Sequence, residues 1–116
     1  MSPTKARLPE ELERPRFQHA EFDVTGTDGV LLAADAGRVI HIFQFWLWNV
    51  SEQDLDIRDD GKTLSGYITT FPAKSAMFLP FTGGPHWELQ PSNSLRIRTN
   101  LGTRITGFIS YRTYRS

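Results

Sequence analysis

Three histidines (His19, His41 and His86) and four clustered acids (Asp54, Asp56, Asp59 and Asp60) are the residues of this 116-residue chain whose types invite a chemical reading. Three imidazoles can make a zinc ligand set. No two of these, however, stand in the HxH or HxxxH spacing that pre-assembles such a site. His41 lies among apolar residues, the setting of a hydrogen-bonded core or interface histidine. The acids suggest calcium, but an EF-hand loop needs a distal bidentate glutamate, and the twelfth position counted from Asp54 is Ser65. Asp54 and Asp56 fit a solvated strand face better. Neither a GxSxG nucleophile elbow nor a glycine-rich phosphate loop occurs. Cysteine is absent, which removes disulfides, thiolate metal sites and thiol nucleophiles and suits a reducing cytoplasm. The expectation is a protein that is not an enzyme and holds neither cofactor nor metal.

Binding chemistry has more to work with. Arg96 and Arg98 share a strand face, and Arg104, Arg112 and Arg115 follow close in sequence beside Phe108, Tyr111 and Tyr114. Basic residues among aromatics can hold nucleic acid by phosphate contact and stacking. A net charge of zero and the small number of cations argue against it, and favour a solvated face or subunit salt bridges. Trp46 and Trp48 lie on one face of an apolar run, where a core role is expected. Trp87 follows Gly83-Gly84-Pro85-His86 near a turn, so Trp87 and His86 are the candidates for contact with a sugar or receptor.

The charges are segregated. Residues 1–60 carry twelve acids and six bases, and residues 61–116 carry seven bases with Glu88 as the sole acid. Two readings follow. Antiparallel pairing within one domain would neutralise the halves locally, or unlike faces would join copies of the chain in a ring.

The elements that must position these groups are strands. Arg38–Val50, RVIHIFQFWLWNV, is rich in β-branched and aromatic residues and apolar on both period-2 faces. Val39, Phe43, Phe45 and Leu47 fall on one face, and Ile40, Ile42, Trp46, Trp48 and Val50 on the other. Such a strand must be covered on both sides, by a second sheet and by a further layer or subunit. Gln53–Arg58 alternates with Leu55 and Ile57 inward, Asp59–Lys62 makes a hairpin turn in which Gly61 is available for positive φ, and Thr63–Thr70 returns as its partner. Short strands are expected at Arg16–Val24, Val30–Ala34, Lys74–Leu79 and His86–Gln90. Leu95–Thr99 and Thr103–Thr113 read as a hairpin closed at Asn100-Leu101-Gly102.

Turn signals about 8–12 residues apart indicate an all-β domain. Eight or nine strands suggest a jelly-roll-like β-sandwich, with an immunoglobulin-like sandwich as the alternative. One domain is expected over residues 17–116, preceded by an extended N-terminal arm over 1–16, where only Leu8 and Leu12 offer apolar surface. No apolar run approaches a membrane span, and the N-terminus lacks the apolar stretch of a signal peptide.

Residues 38–114 resemble a family of small bacteriophage structural proteins encoded beside the major capsid gene. The resemblance rests on the apolar strand Arg38–Val50, the Leu64-Ser65-Gly66 step and Leu79-Pro80-Phe81. It continues through the tryptophan-bearing His86-Trp87-Glu88-Leu89, Leu95-Arg96-Ile97, and Ile105-Thr106-Gly107-Phe108-Ile109-Ser110-Tyr111. The first 37 residues fall outside it, and Ser92-Asn93-Ser94 stands where the pattern carries a small residue and glycine. The resemblance implies a head decoration (cement) protein of the virion, made in the bacterial host cytoplasm. It would be a trimer on the major capsid protein with jelly-roll-like subunits, and no catalytic residues carry over. In that setting Leu8, Leu12, Arg14, Arg16, Arg96, Arg98, Arg112 and Tyr114 are the expected capsid or subunit contacts. The alternative is a carbohydrate- or receptor-binding module of a phage fibre, using Trp87 and His86.

Overall fold

The structure, a computed structural model, describes residues 16–115. Leu8, Leu12 and Arg14, with nearly all of the expected arm, lie outside the described residues. Those described form ten strands and no helix: β1 (Gln18–Val24), β2 (Asp28–Leu32), β3 (Arg38–Asn49), β4 (Gln53–Asp59), β5 (Lys62–Thr63), β6 (Ile68–Phe71), β7 (Ser75–Leu79), β8 (Trp87–Glu88), β9 (Leu95–Thr99) and β10 (Ile105–Arg115). Two antiparallel sheets of five strands result. The front sheet runs β1-β10-β3-β7, with β8 also on β3. The back sheet runs β2-β9-β4-β5, with β6 also on β4. The pairings nest: β1 with β10, β2 with β9, β3 with β7 and β8, β4 with β5 and β6.

The buried core lies between the sheets. Phe22, Ile40, Ile42, Phe45, Leu47, Ile105 and Ile109 come from the front, and Leu31, Leu55, Ile57, Leu95 and Ile97 from the back. Leu55 and Ile57 point inward as their alternation predicts.

β3 departs from simple alternation in a way that decides everything on the front sheet. Ser110 pairs with Gln44 and Tyr111 with Ile42, so Phe43 is an extra residue, a β-bulge. One inserted residue reverses parity. Ile40 and Ile42 face the core before the bulge; Phe45, Leu47 and Asn49 face it after. The two apolar faces expected of this strand are therefore cut at Phe43 and exchanged. Trp46 and Trp48, expected in the core, point to the outer side.

Two further expectations are corrected. β9 and β10 do not form a hairpin, because β9 pairs with β2 and β4 in the back sheet and β10 with β1 and β3 in the front. Residues 100–104 form an arch between the sheets, clasped to the neighbouring β1–β2 crossing. Gly26 N–H donates to Gly102 O at 2.9 Å and Thr99 N–H to Thr27 O at 2.9 Å. Gly102 holds φ +71°, and a Cβ there would sit 3.0 Å from the Gly26 carbonyl carbon. In the β4–β5 turn the left-handed residue is Asp60 (φ 47°) rather than Gly61, with its carboxylate accepting from Ser94 Oγ at 2.6 Å.

A buried polar clasp joins the sheets at the end of β3. Asn49 Nδ2 donates to the Phe71 and Pro72 carbonyls at 3.2 and 2.9 Å, and Gln53 Nε2 donates to Asn49 Oδ1 at 3.0 Å. Thr103 N–H in turn donates to Gln53 Oε1 at 3.1 Å. Asn49→Leu removes these partners from buried groups and is expected to cost about 2–3 kcal/mol, read by urea unfolding. A loss below about 0.5 kcal/mol would show the clasp to be replaceable.

Candidate binding face

The outer sides of the two sheets differ in kind. Across the back sheet, Asp28, Arg98 and Asp56 stand in one register row, and Val30, Arg96, Arg58 and Thr63 in the next. Arg96 pairs with Asp28 at 3.3 Å, and Arg58 and Thr63 both bond the Asp56 carboxylate. Arg96–Asp28 crosses from β9 to β2, while Arg58–Asp56 joins two residues of β4, and together they give this side a charged, polar character. At the margin of the front sheet, Arg104 holds Asp23 through two bonds of 3.0 and 2.8 Å. These bonds keep the Asp23 carboxyl below its ordinary range. Asp23–Arg104 and Asp28–Arg96 each join the acidic half of the sequence to its basic half. They are the local neutralisation that antiparallel pairing allows.

The front sheet's outer side is aromatic. Its register places Glu21, Phe108, Trp46 and Phe78 in one row and Asp23, Thr106, Trp48 and Ala76 in the next. Trp46, Trp48 and Phe108 are half-buried and Phe78 is 51% exposed, with no layer of the described chain over them. Beyond the bulge a second aromatic group rises from this side. Phe43 meets Phe17 edge-on with ring centroids at 5.0 Å and lies beneath Phe81 at 6.2 Å. The Arg112 guanidinium sits 4.0 Å over the Phe17 ring and 5.2 Å from that of Phe43. Its Nε is buried without a hydrogen-bond partner among the described residues. Between the two aromatic groups, His19, Ser110 and Gln44 form one polar row across β1, β10 and β3.

The predicted site residues are scattered by this arrangement. Arg96 and Arg98 belong to the charged back face, whereas Arg112 and Tyr114 belong to the front, where Tyr114 packs on His41 at 4.5 Å. Arg16 is exposed at the start of the described residues. Trp87 pairs with Ile42 and turns inward, edge-on to Phe45 at 5.5 Å against the core. His86 uses its ring Nε2 on the Pro80 carbonyl at 2.6 Å. Trp87 thus packs against the core, and it is Trp46 and Trp48 that stand on the outer side of the front sheet. Phe17, Phe43, Phe78 and Phe81 were not singled out by the sequence. His41 and Gln44, polar residues three apart yet both facing outward, carry the signal of the bulge that would have found them.

The candidate metal groups are dispersed or occupied. No cluster of three or more His, Asp or Glu able to hold a metal occurs among the described residues. Asp59, buried, accepts from Gln90 N–H and Asn93 Nδ2 at 2.9 and 2.8 Å. Asp56 is covered by Arg58 and Thr63 rather than freely solvated. Asp54 accepts from Thr70 N–H at 2.8 Å and from the Tyr67 hydroxyl at 2.9 Å.

The Tyr67–Asp54 bond raises the Tyr67 phenol above its ordinary value of 10.0, because the carboxylate holds the neutral O–H. Linkage then makes this bond's contribution complete below pH 10, and lost as pH rises through the folded value. Ultraviolet titration is expected to show one late-ionising tyrosine that returns to normal in Asp54→Asn. An unchanged titration in that variant would remove the bond as the cause.

Comparison of the chain with protein-family models, with curated proteins and with solved structures gives no match.

Proposed function

We propose that this chain is a structural, non-enzymatic subunit of a bacteriophage head: a decoration (cement) protein that docks on the major capsid protein and associates as a trimer. The observation that carries this reading is the aromatic outer side of the front sheet. Trp46, Trp48, Phe78 and Phe108 form a contiguous apolar surface opposite a back sheet dressed in paired charges. Surfaces of this kind mark association sites, and tryptophan and tyrosine are enriched among residues that dominate binding energy. The nested strand pairings, with successive segments alternating between sheets, support the jelly-roll-like form of the sandwich. The resemblance of residues 38–114 to capsid-adjacent phage proteins supplies the partner.

Docking would work by mass action. A subunit that binds the assembled shell in preference to its dissociated parts stabilises the shell in proportion to its free concentration over its dissociation constant. The His19–Ser110 pair does not favour a hydrolase reading, because the serine hydroxyl donates to Gln44 Oε1 at 3.1 Å and so does not present its proton to the imidazole. Trp87 and His86, engaged in packing and in a backbone bond, give the fibre-module alternative little to work with.

The test is cosedimentation of the purified full chain with head shells assembled from the major capsid protein that the resemblance implies is encoded beside it. Saturable binding that raises the shell's melting temperature is expected. No binding at micromolar concentration would overturn the reading.

A further inference from the structure

Between the two aromatic groups of the front sheet lies an open cup of about 250 Å3, lined by Phe17, His19, Gln44, Phe81 and Ser110. The β1-β10-β3 register brings its floor together, since His19 pairs with Ser110 and Ser110 with Gln44, all on the outer side. Ser110 Oγ donates to Gln44 Oε1 at 3.1 Å. The serine has one hydrogen, so the 2.8 Å contact with His19 Nδ1 is a bond in which the imidazole N–H donates to Ser110 Oγ. That tautomer leaves His19 Nε2 as an acceptor and the Gln44 amide N–H groups as donors. Neither has a partner among the described residues. Phe17 and Phe81 pack edge-to-face on each other, with centroids 5.4 Å apart and planes at 82°, and form one apolar corner beside the floor.

From this arrangement we infer that the cup is a binding subsite for one ring of a neutral saccharide. Three features select that class. The volume is below the roughly 300–1,000 Å3 of drug-sized sites, which leaves room for a single six-membered ring. The lining presents an adjacent acceptor and donor and holds no carboxylate, ammonium or guanidinium group, which suits hydroxyls; the nearest cation, Arg112, lies against the Phe17 ring and is not part of the lining. The two rings meet edge-to-face and leave no slot in which a flat base could be clamped between parallel faces. They form one apolar corner that can cover the C–H groups of a puckered ring, with the polar handles beside it on the floor. The inference is independent of capsid docking, which uses the Trp46–Phe78 half of the same face.

The experiment is saturation-transfer NMR and calorimetry on the full chain with a panel of neutral hexoses and N-acetylhexosamines, repeated with sialic acid. Millimolar binding of at least one neutral sugar is expected, with Kd raised tenfold or more in both His19→Ala and Phe81→Ala. Phe81 is 52% exposed on a loop and His19 is exposed on an edge strand, so both variants are expected to keep the parent's melting temperature. Three results would overturn the inference: no neutral sugar binding, binding of sialic acid alone, or binding that survives both substitutions. Loss of sugar binding with shell docking intact would separate this site from the proposed capsid surface.

Discussion

Replacing Gly107 with alanine is expected to destabilise the domain by about 3 kcal/mol or more. That corresponds to a fall of roughly 15 °C in Tm. Gly107 lies in β10 between Phe22 of β1 and Leu47 of β3, with the Phe22 ring laid over it. A Cβ built there would collide with the Trp46 carbonyl oxygen and stand 2.5 Å from Phe22 Cζ. The carbonyl belongs to the sheet ladder and cannot move without breaking β3–β10 pairing. The Phe22 ring is buried and stacks on Phe45 at 5.8 Å, so it cannot swing away without opening the core. Gly84→Ala is the control, since nothing stands within 4 Å of its added Cβ, and a near-neutral effect is expected. Equal unfolding midpoints for the two variants would show that the close packing of β1, β10 and β3 has been misplaced.

The second large effect is on association. The pair Trp46→Thr with Phe78→Lys is expected to weaken docking at least about a hundredfold, since each residue sits where buried aromatic anchors are worth about 2 kcal/mol or more. The folded chain should lose little, because Trp46 and Phe78 face each other across β3 and β7 on the outer side, outside the core cluster. Such a cross-strand pair contributes roughly 0.2–1 kcal/mol. Cosedimentation with shells reads the first quantity and urea unfolding the second. A variant that docks normally would place the contact elsewhere. One that unfolds would show the aromatic rows to be structural. Arg96→Ala with Arg98→Ala, on the charged back face, is the matched control and should leave docking intact.

Much of this architecture was legible in local chemistry. The alternation of Gln53–Arg58 set its inward residues, and the turn residues at Asp59–Lys62 marked a real reversal between β4 and β5. Of the two readings of the segregated charge, local neutralisation has the pairs Asp23–Arg104 and Asp28–Arg96, each joining the acidic half of the chain to its basic half. What escaped was non-local. Whether Leu95–Thr99 and the strand after Gly102 pair with each other or cross between sheets depends on the clasp of that arch to Gly26 and Thr27, more than seventy residues earlier. The bulge at Phe43 was the costliest to miss, because one unpaired residue moved both tryptophans of β3 from the core to the surface. A run apolar on both faces hides such a shift, since either parity buries hydrophobic groups. The same ambiguity drew attention to Trp87, whose neighbouring glycines and proline imply exposure although its ring closes the core beside Phe45.

A reconstruction of a head shell carrying the bound chain tests the central claim most directly, because it shows which side of the sandwich meets the shell. The outer side of β3 and β10, with Trp46, Trp48 and Phe108, is predicted to lie against the capsid protein or a sister subunit, leaving the charged ladder of β2, β9 and β4 toward solvent. Density with the charged ladder on the shell and the aromatic rows open to water would contradict the account.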